Sequence, residues 1–174
     1  MKQTKKITIS AMLVALGVAF MALGAVIEVM DLSVCAVASL LVVFVYIEIG
    51  SPFVWLVWLC TSLATFLFFP GSIIWIEYFL VFGIYPILKA FFERTPRIFW
   101  IPIKLIYINA IIWLLSLGVR LILGIPFFDG ETFLVNAVIY IVINVAFFVY
   151  DMFITVSVRI YFGKIRHRFS KFLK

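Results

Sequence analysis

Residues 7–27 read ITISAMLVALGVAFMALGAVI, twenty-one residues without a charge. As a helix rising 1.5 Å per residue, the run is about 31 Å long, close to the thickness of a bilayer's hydrocarbon core. Lys2, Lys5 and Lys6 precede it, and Glu28 and Asp31 follow it. Basic residues near the end of a span are retained on the cytoplasmic side, so this span is expected to run from inside to outside. A basic stretch before an apolar run also opens a secretory leader. Here the run is long and no clear small-residue cleavage site precedes a soluble domain, so it reads as a first retained helix.

Five further apolar runs follow, separated by chain breakers. The expected spans are 32–49, 52–69, 73–92, 101–123 and 132–162. Gly50, Ser51 and Pro52 form an inner break, and Pro52 suits the first turn of the third helix. Pro70, Gly71 and Ser72 form an outer turn. The segment 93–100, with Arg94, Pro96 and Arg97, is an inner loop, and 124–131 is the longest outer loop. The last span is overlong, and its final turns are expected to leave the bilayer before a basic tail. On this map thirteen of the 14 Lys and Arg residues fall on the inner side and Arg120 alone does not. Glu28, Asp31, Glu77, Asp129 and Glu131 lie on or near the outer side. The expectation is an all-α protein, one domain over 1–174, with six transmembrane helices, multi-pass in the cell membrane and with both termini cytoplasmic.

Composition agrees. The chain is 67% hydrophobic and 13% charged, against about 25% charged in soluble domains, and its mean hydropathy is +1.28. The net charge of +6 comes from the inner flanks. It suits an anionic cytoplasmic leaflet rather than nucleic acid. Cys35 and Cys60 lie in apolar runs and read as small buried hydrophobes, without metal-ligand spacing. His167 sits in the basic tail and is expected to be solvated.

Three stripes stand out. On helix 1, Ala11, Ala15, Ala19 and Ala22 fall within an arc of about 80°. Small residues at this spacing let membrane helices approach closely, because lipid supplies no hydrophobic drive. Packing inside the bundle and docking on a partner both remain open for this stripe. On helix 5, Asn109, Trp113, Ser116 and Arg120 share a face, and Arg120 lies about 24 Å beyond Lys104 along the axis. A cation in that setting pairs, snorkels or lines a cavity. Pairing with Glu77, snorkelling to outer headgroups and holding a ligand's anionic or carbonyl group all remain open.

On helix 6, Asn136, Tyr140, Asn144 and Asp151 lie within about 80° of each other and are expected to face the bundle interior. Asp151 is read as structural, paired with Lys104 or Lys89. Trp58, Thr61, Ser62 and Thr65 share one side of helix 3. Trp58 and Ser62, with Glu77 and Tyr78 of helix 4, and with Trp113, Ser116, Arg120, Asn136 and Tyr140, are the candidate lining of an outward-facing pocket.

No phosphate-binding loop is present, since Gly163-Lys164 lacks the preceding glycine spacing. No HExxH and no Gly-x-Ser-x-Gly motif occurs. No catalytic residue, metal or cofactor is expected, and ATP-driven work would need another chain.

The stretch from Lys5 to Gly17, KKITISAMLVALG, resembles the start of the substrate-binding S components of energy-coupling factor (ECF) transporters. In that family a basic N-terminus leads into a helix 1 carrying Ala-x-x-x-Ala, which Ala11 and Ala15 match. The length and the six expected spans are also similar. The resemblance implies a bundle that captures a vitamin or other micronutrient from outside. It implies docking through Ala11 and Ala15 on a transmembrane coupling subunit, with two cytoplasmic ATPases driving inward release. The turn between helices 1 and 2 is shorter than the lid loop common in that family, and no vitamin-specific signature is present. The competing expectation is a non-transporting scaffold of the cell envelope, similar to the six-span cell-shape proteins of the MreD type. In that case the alanine stripe is a partner surface and the outer pocket is closed.

Overall fold

A computed structural model describes residues 2–123 and 133–166. The expected outer loop with Asp129 and Glu131, Thr132, and the tail with His167 lie outside the described residues. Among the described residues every regular element is helical. We label them α1 (Gln3–Val26), α2 (Asp31–Glu48), α3 (Phe53–Phe68), α4 (Ile74–Phe92), α5 (Trp100–Leu123) and α6 (Phe133–Ile160). Five stretches are long and apolar enough to cross a membrane, and α3, at 16 residues, is shorter.

The boundaries differ from the expected ones where local physics intervenes. α1 starts at Gln3 rather than at residue 7. Lys5 and Lys6 are therefore helical, and Thr8 Oγ1 donates to the Thr4 carbonyl at 3.0 Å. A 3₁₀ turn, Glu28–Met30, joins α1 to α2. α2 ends where Gly50 adopts φ +80° and its N–H closes on the Val45 carbonyl at 2.9 Å. A left-handed residue that ends a helix in this way is normally glycine.

α4 is not the unbroken helix that 73–92 suggests. An α-helical turn, Ile74–Glu77, runs into a π-helical segment, Tyr78–Phe82, and α-helix resumes over Tyr85–Phe92. Gly83 N–H reaches the Tyr78 carbonyl five residues back, at 2.7 Å. Pro86 has no N–H for the helix ladder, so it is accommodated in the first turn of the resumed helix and the register slips just before it. A second π segment, Tyr161–Ile165, follows α6.

The chain forms two compact units, Met1–Ala90 with Ile154–Lys174, and Phe91–Phe153. In the first, α1 packs on α2 and α3, and α2 and α3 pack on the first half of α4. The face α1 turns inward is Ser10, Gly17, Met21 and Gly24. A Cβ on Gly17 would meet Thr61 Cγ2 at 3.0 Å, and one on Gly24 would collide with Ile74 Cδ1. The glycines, not the alanines, thus set the close approach of α1 to its own bundle. The core continues through Cys35, Ala38, Val42, Val54, Val57 and Tyr85. Cys35 is buried as expected. Cys60 is exposed, because α3 buries the side carrying Val57, Thr61 and Thr65.

In the second unit, Ile108 and Ile112 of α5 are buried, as are Phe147 and Tyr150 of α6. Tyr107 links Phe92 and Phe147, with ring centroids 5.9 and 6.0 Å away. Large apolar side chains cover the exterior of the described residues. Ile106 is 70% exposed and Met12 67%, as side chains facing lipid would be.

Candidate functional site

The first unit holds four of the expected pocket residues. Trp58 of α3 is half-buried. It stacks on Phe79 with centroids 4.7 Å apart, and its Nε1 donates to the Phe79 carbonyl at 3.1 Å. The π segment sets this contact, and Gly83 makes room for it. A Cβ there would lie 2.6 Å from Trp58 Cδ1 and 2.8 Å from Tyr78 Cε1. Ser62 is buried and donates its hydroxyl to the Trp58 carbonyl at 2.8 Å, and Thr65 does the same to Thr61 at 2.8 Å. These hydroxyls are engaged with their own helix. Tyr78 is 1% exposed and forms part of the core.

Glu77 differs. It is half-buried, and its Oε2 is out of contact with solvent and makes no hydrogen bond among the described residues. Asp31 and Cys35 lie near enough to interact with it electrostatically. The Cys35 thiol is 3.8 Å from Met21 Sδ and 3.9 Å from the Ile74 carbonyl. The expected outer end of this unit is therefore acidic and sulfur-lined. No group of three or more His, Cys, Asp or Glu suited to a metal occurs among the described residues.

The second unit holds the other five. Tyr140 OH donates to Asn109 Oδ1, so the polar stripes of α5 and α6 meet at this pair. Asn109 Nδ2 donates to the Leu105 carbonyl at 2.8 Å, and Asn144 Nδ2 to the Tyr140 carbonyl at 3.0 Å. Asn144 Oδ1 is buried without a hydrogen bond among the described residues. With Leu105, Ile141, Val145 and Phe148, these groups line a wide, shallow depression of about 360 Å³. Asn136 is half-buried, whereas Tyr140 is 40% exposed and sits at the margin of the unit rather than inside it. Ser116 donates its hydroxyl to the Trp113 carbonyl at 2.7 Å. Trp113 is 65% exposed, and Arg120 is exposed in the last turn of α5.

Asp151 pairs as expected. Its Oδ2 lies 2.8 Å from Lys104 Nζ, which is also 3.5 Å from Glu93 Oε1. Lys89, the other candidate partner, donates to Thr155 Oγ1 at 2.6 Å. Both lysines are buried.

The alanine stripe faces away from the first unit's core. Ala11, Ala15 and Ala19 are exposed and Ala22 is half-exposed. The stripe is roughly 150° around the helix from the Ser10–Gly24 face. Of its two open readings, packing within the unit is not what these alanines do.

The sequence reading missed one cluster. Glu48 Oε1 accepts from Tyr161 OH at 3.0 Å and pairs with Arg166 Nε at 3.4 Å. Beside it, α2 and the end of α6 enclose an apolar groove of about 260 Å³. The residues are 113 positions apart, and no periodicity joins them. The only local signal was an acid at the end of an otherwise apolar run. No family model, curated protein or solved structure matches the chain.

Proposed function

We propose that the chain is a membrane-embedded subunit that works by docking on a partner through α1, and specifically that it is the substrate-capturing subunit of an ECF-type importer. The supporting observation is the exposed stripe of Ala11, Ala15, Ala19 and Ala22. α1 meets its own bundle through Ser10, Gly17, Met21 and Gly24, so a second small-residue face is left for another helix. In this reading six helices span the cell membrane with both termini inside. A vitamin or other micronutrient is captured from outside. A coupling subunit and two ATPases supply the power stroke.

A second reading has its own support. Ser62 and Tyr78 are packed into the core, and the Trp58 indole is engaged by the Phe79 carbonyl. Packing of this kind within the first unit favours a non-transporting scaffold of the cell envelope, in which the same stripe holds a structural partner.

The deciding experiment is affinity purification from native membranes in mild detergent, comparing wild type with Ala15→Leu. Substrate capture predicts a transmembrane coupling subunit with its ATPases, lost in Ala15→Leu while the variant stays folded. Envelope proteins without ATPases would move the assignment to the scaffold. Unchanged partner recovery with Ala15→Leu would remove α1 as the docking face in either case.

A further inference from the structure

We infer that the inner end of the first unit is a binding site for one anionic glycerophospholipid. Its acyl chain would lie in the groove between α2 and α6, and its phosphate on Arg166. The site is independent of substrate capture.

The groove has two chemically distinct parts. Its walls are Leu40, Phe44 and Ile47 of α2 and Ser157 and Ile160 of α6. Leu40 to Ile47 covers about two helical turns, or roughly 10 Å along the axis. One end is polar. Tyr161 closes it, with its ring edge-on to Phe44 at 5.8 Å and its hydroxyl on Glu48. Arg166 binds the same Glu48 oxygen through Nε, and its guanidinium lies 5.1 Å from the Phe162 ring. Its side chain is 52% exposed. Glu48 therefore orients the guanidinium and leaves its outer edge to accept a phosphate, a geometry that arginine suits.

Charge complementarity identifies the occupant. Arg159 and Lys164 are exposed on the same end of α6. Lys6 reaches this end from α1, 3.5 Å from the Ile49 carbonyl and 5.9 Å from the Phe53 ring. From Arg159 to Arg166 the sequence carries three Lys and Arg and no acid. Basic clusters beside an interhelical groove at the cytoplasmic end of a bundle select anionic headgroups. A zwitterionic lipid would fill the groove equally well, but its choline would face these cations.

The test is native mass spectrometry of the purified full chain, titrated with phosphatidylglycerol or with phosphatidylcholine of the same acyl length. The expected result is at least tenfold tighter retention of phosphatidylglycerol. Arg166→Gln should weaken it about tenfold, the scale of one charge-assisted hydrogen bond, whereas Arg97→Gln, which removes the same charge from the other unit, should not. Ser157→Leu, which fills the groove without changing charge, should weaken both lipids. Equal retention of the two lipids, or equal losses from Arg166→Gln and Arg97→Gln, would overturn the proposal. So would undiminished binding in Ser157→Leu. Circular dichroism and gel filtration of each variant separate misfolding from lost binding. If Arg166→Gln misfolds, the Ser157→Leu result decides.

Discussion

Among single residues, Lys104 is a buried cation held between two acids. Its ammonium is buried on α5, 2.8 Å from Asp151 and 3.5 Å from Glu93. Lys104→Met would leave Asp151, only 15% exposed at its side chain, without this cation. Breaking one side of a buried pair costs about 3–5 kcal/mol, whereas replacing both sides with apolar groups is close to neutral. Lys104→Met should therefore lower the unfolding free energy in mixed micelles by about 3–5 kcal/mol. Lys104→Met combined with Asp151→Leu should recover most of that loss. A single variant as stable as wild type would show that groups other than Lys104 already compensate Asp151. The sequence narrowed this pairing to Lys104 or Lys89, because an acid inside an apolar helix must find a cation, and the structure selects Lys104. Glu48 was not legible. It lies at a helix end, where a carboxylate is unremarkable, and its partners come from the far end of the chain.

Helical elements follow from run length, but their irregularities follow from particular breakers. Pro86 was visible in the sequence, yet its effect depends on a three-dimensional fact. The π segment before it brings the Phe79 carbonyl to Trp58 and needs Gly83 to be small. Apolar periodicity cannot report a register slip of one residue. Gly50 shows the reverse, since Gly-Ser-Pro marks a turn and the structure has one there. Gly50 and Gly71 together test how far conformation rather than space decides a turn. A Cβ meets nothing within 4 Å at either position, but only Gly50 has a positive φ. Gly50→Ala should cost about 1–2 kcal/mol, while Gly71→Ala should stay within about 0.5 kcal/mol of wild type. Thermal unfolding in one detergent, measured on both variants, checks this. Equal shifts would mean that the turn after α2 relaxes freely.

For the whole molecule, composition and charge segregation carried most of what could be read. They yielded an all-helical chain with spans near the observed ones, and they isolated Arg120. They did not say which face of α1 is buried, because Ser10, Gly17 and Gly24 are as small as the alanines and periodicity weighs both faces alike. The same charge map predicts an orientation across the bilayer, which is testable directly. In a Cys60→Ala background, which removes the exposed thiol and leaves the buried Cys35, single cysteines replace Arg97 and Arg120, both exposed. Thirteen basic residues kept inside and one outside predict that Arg120→Cys reacts with a membrane-impermeant maleimide on intact cells. Arg97→Cys should react only after permeabilisation. Because Arg97 belongs to the basic set and Arg120 is its one exception, the reverse pattern would invert the topology and move the Glu48–Arg166 groove to the outer leaflet. Labelling of both from outside would mean that α5, the single long helix between them, does not cross the membrane.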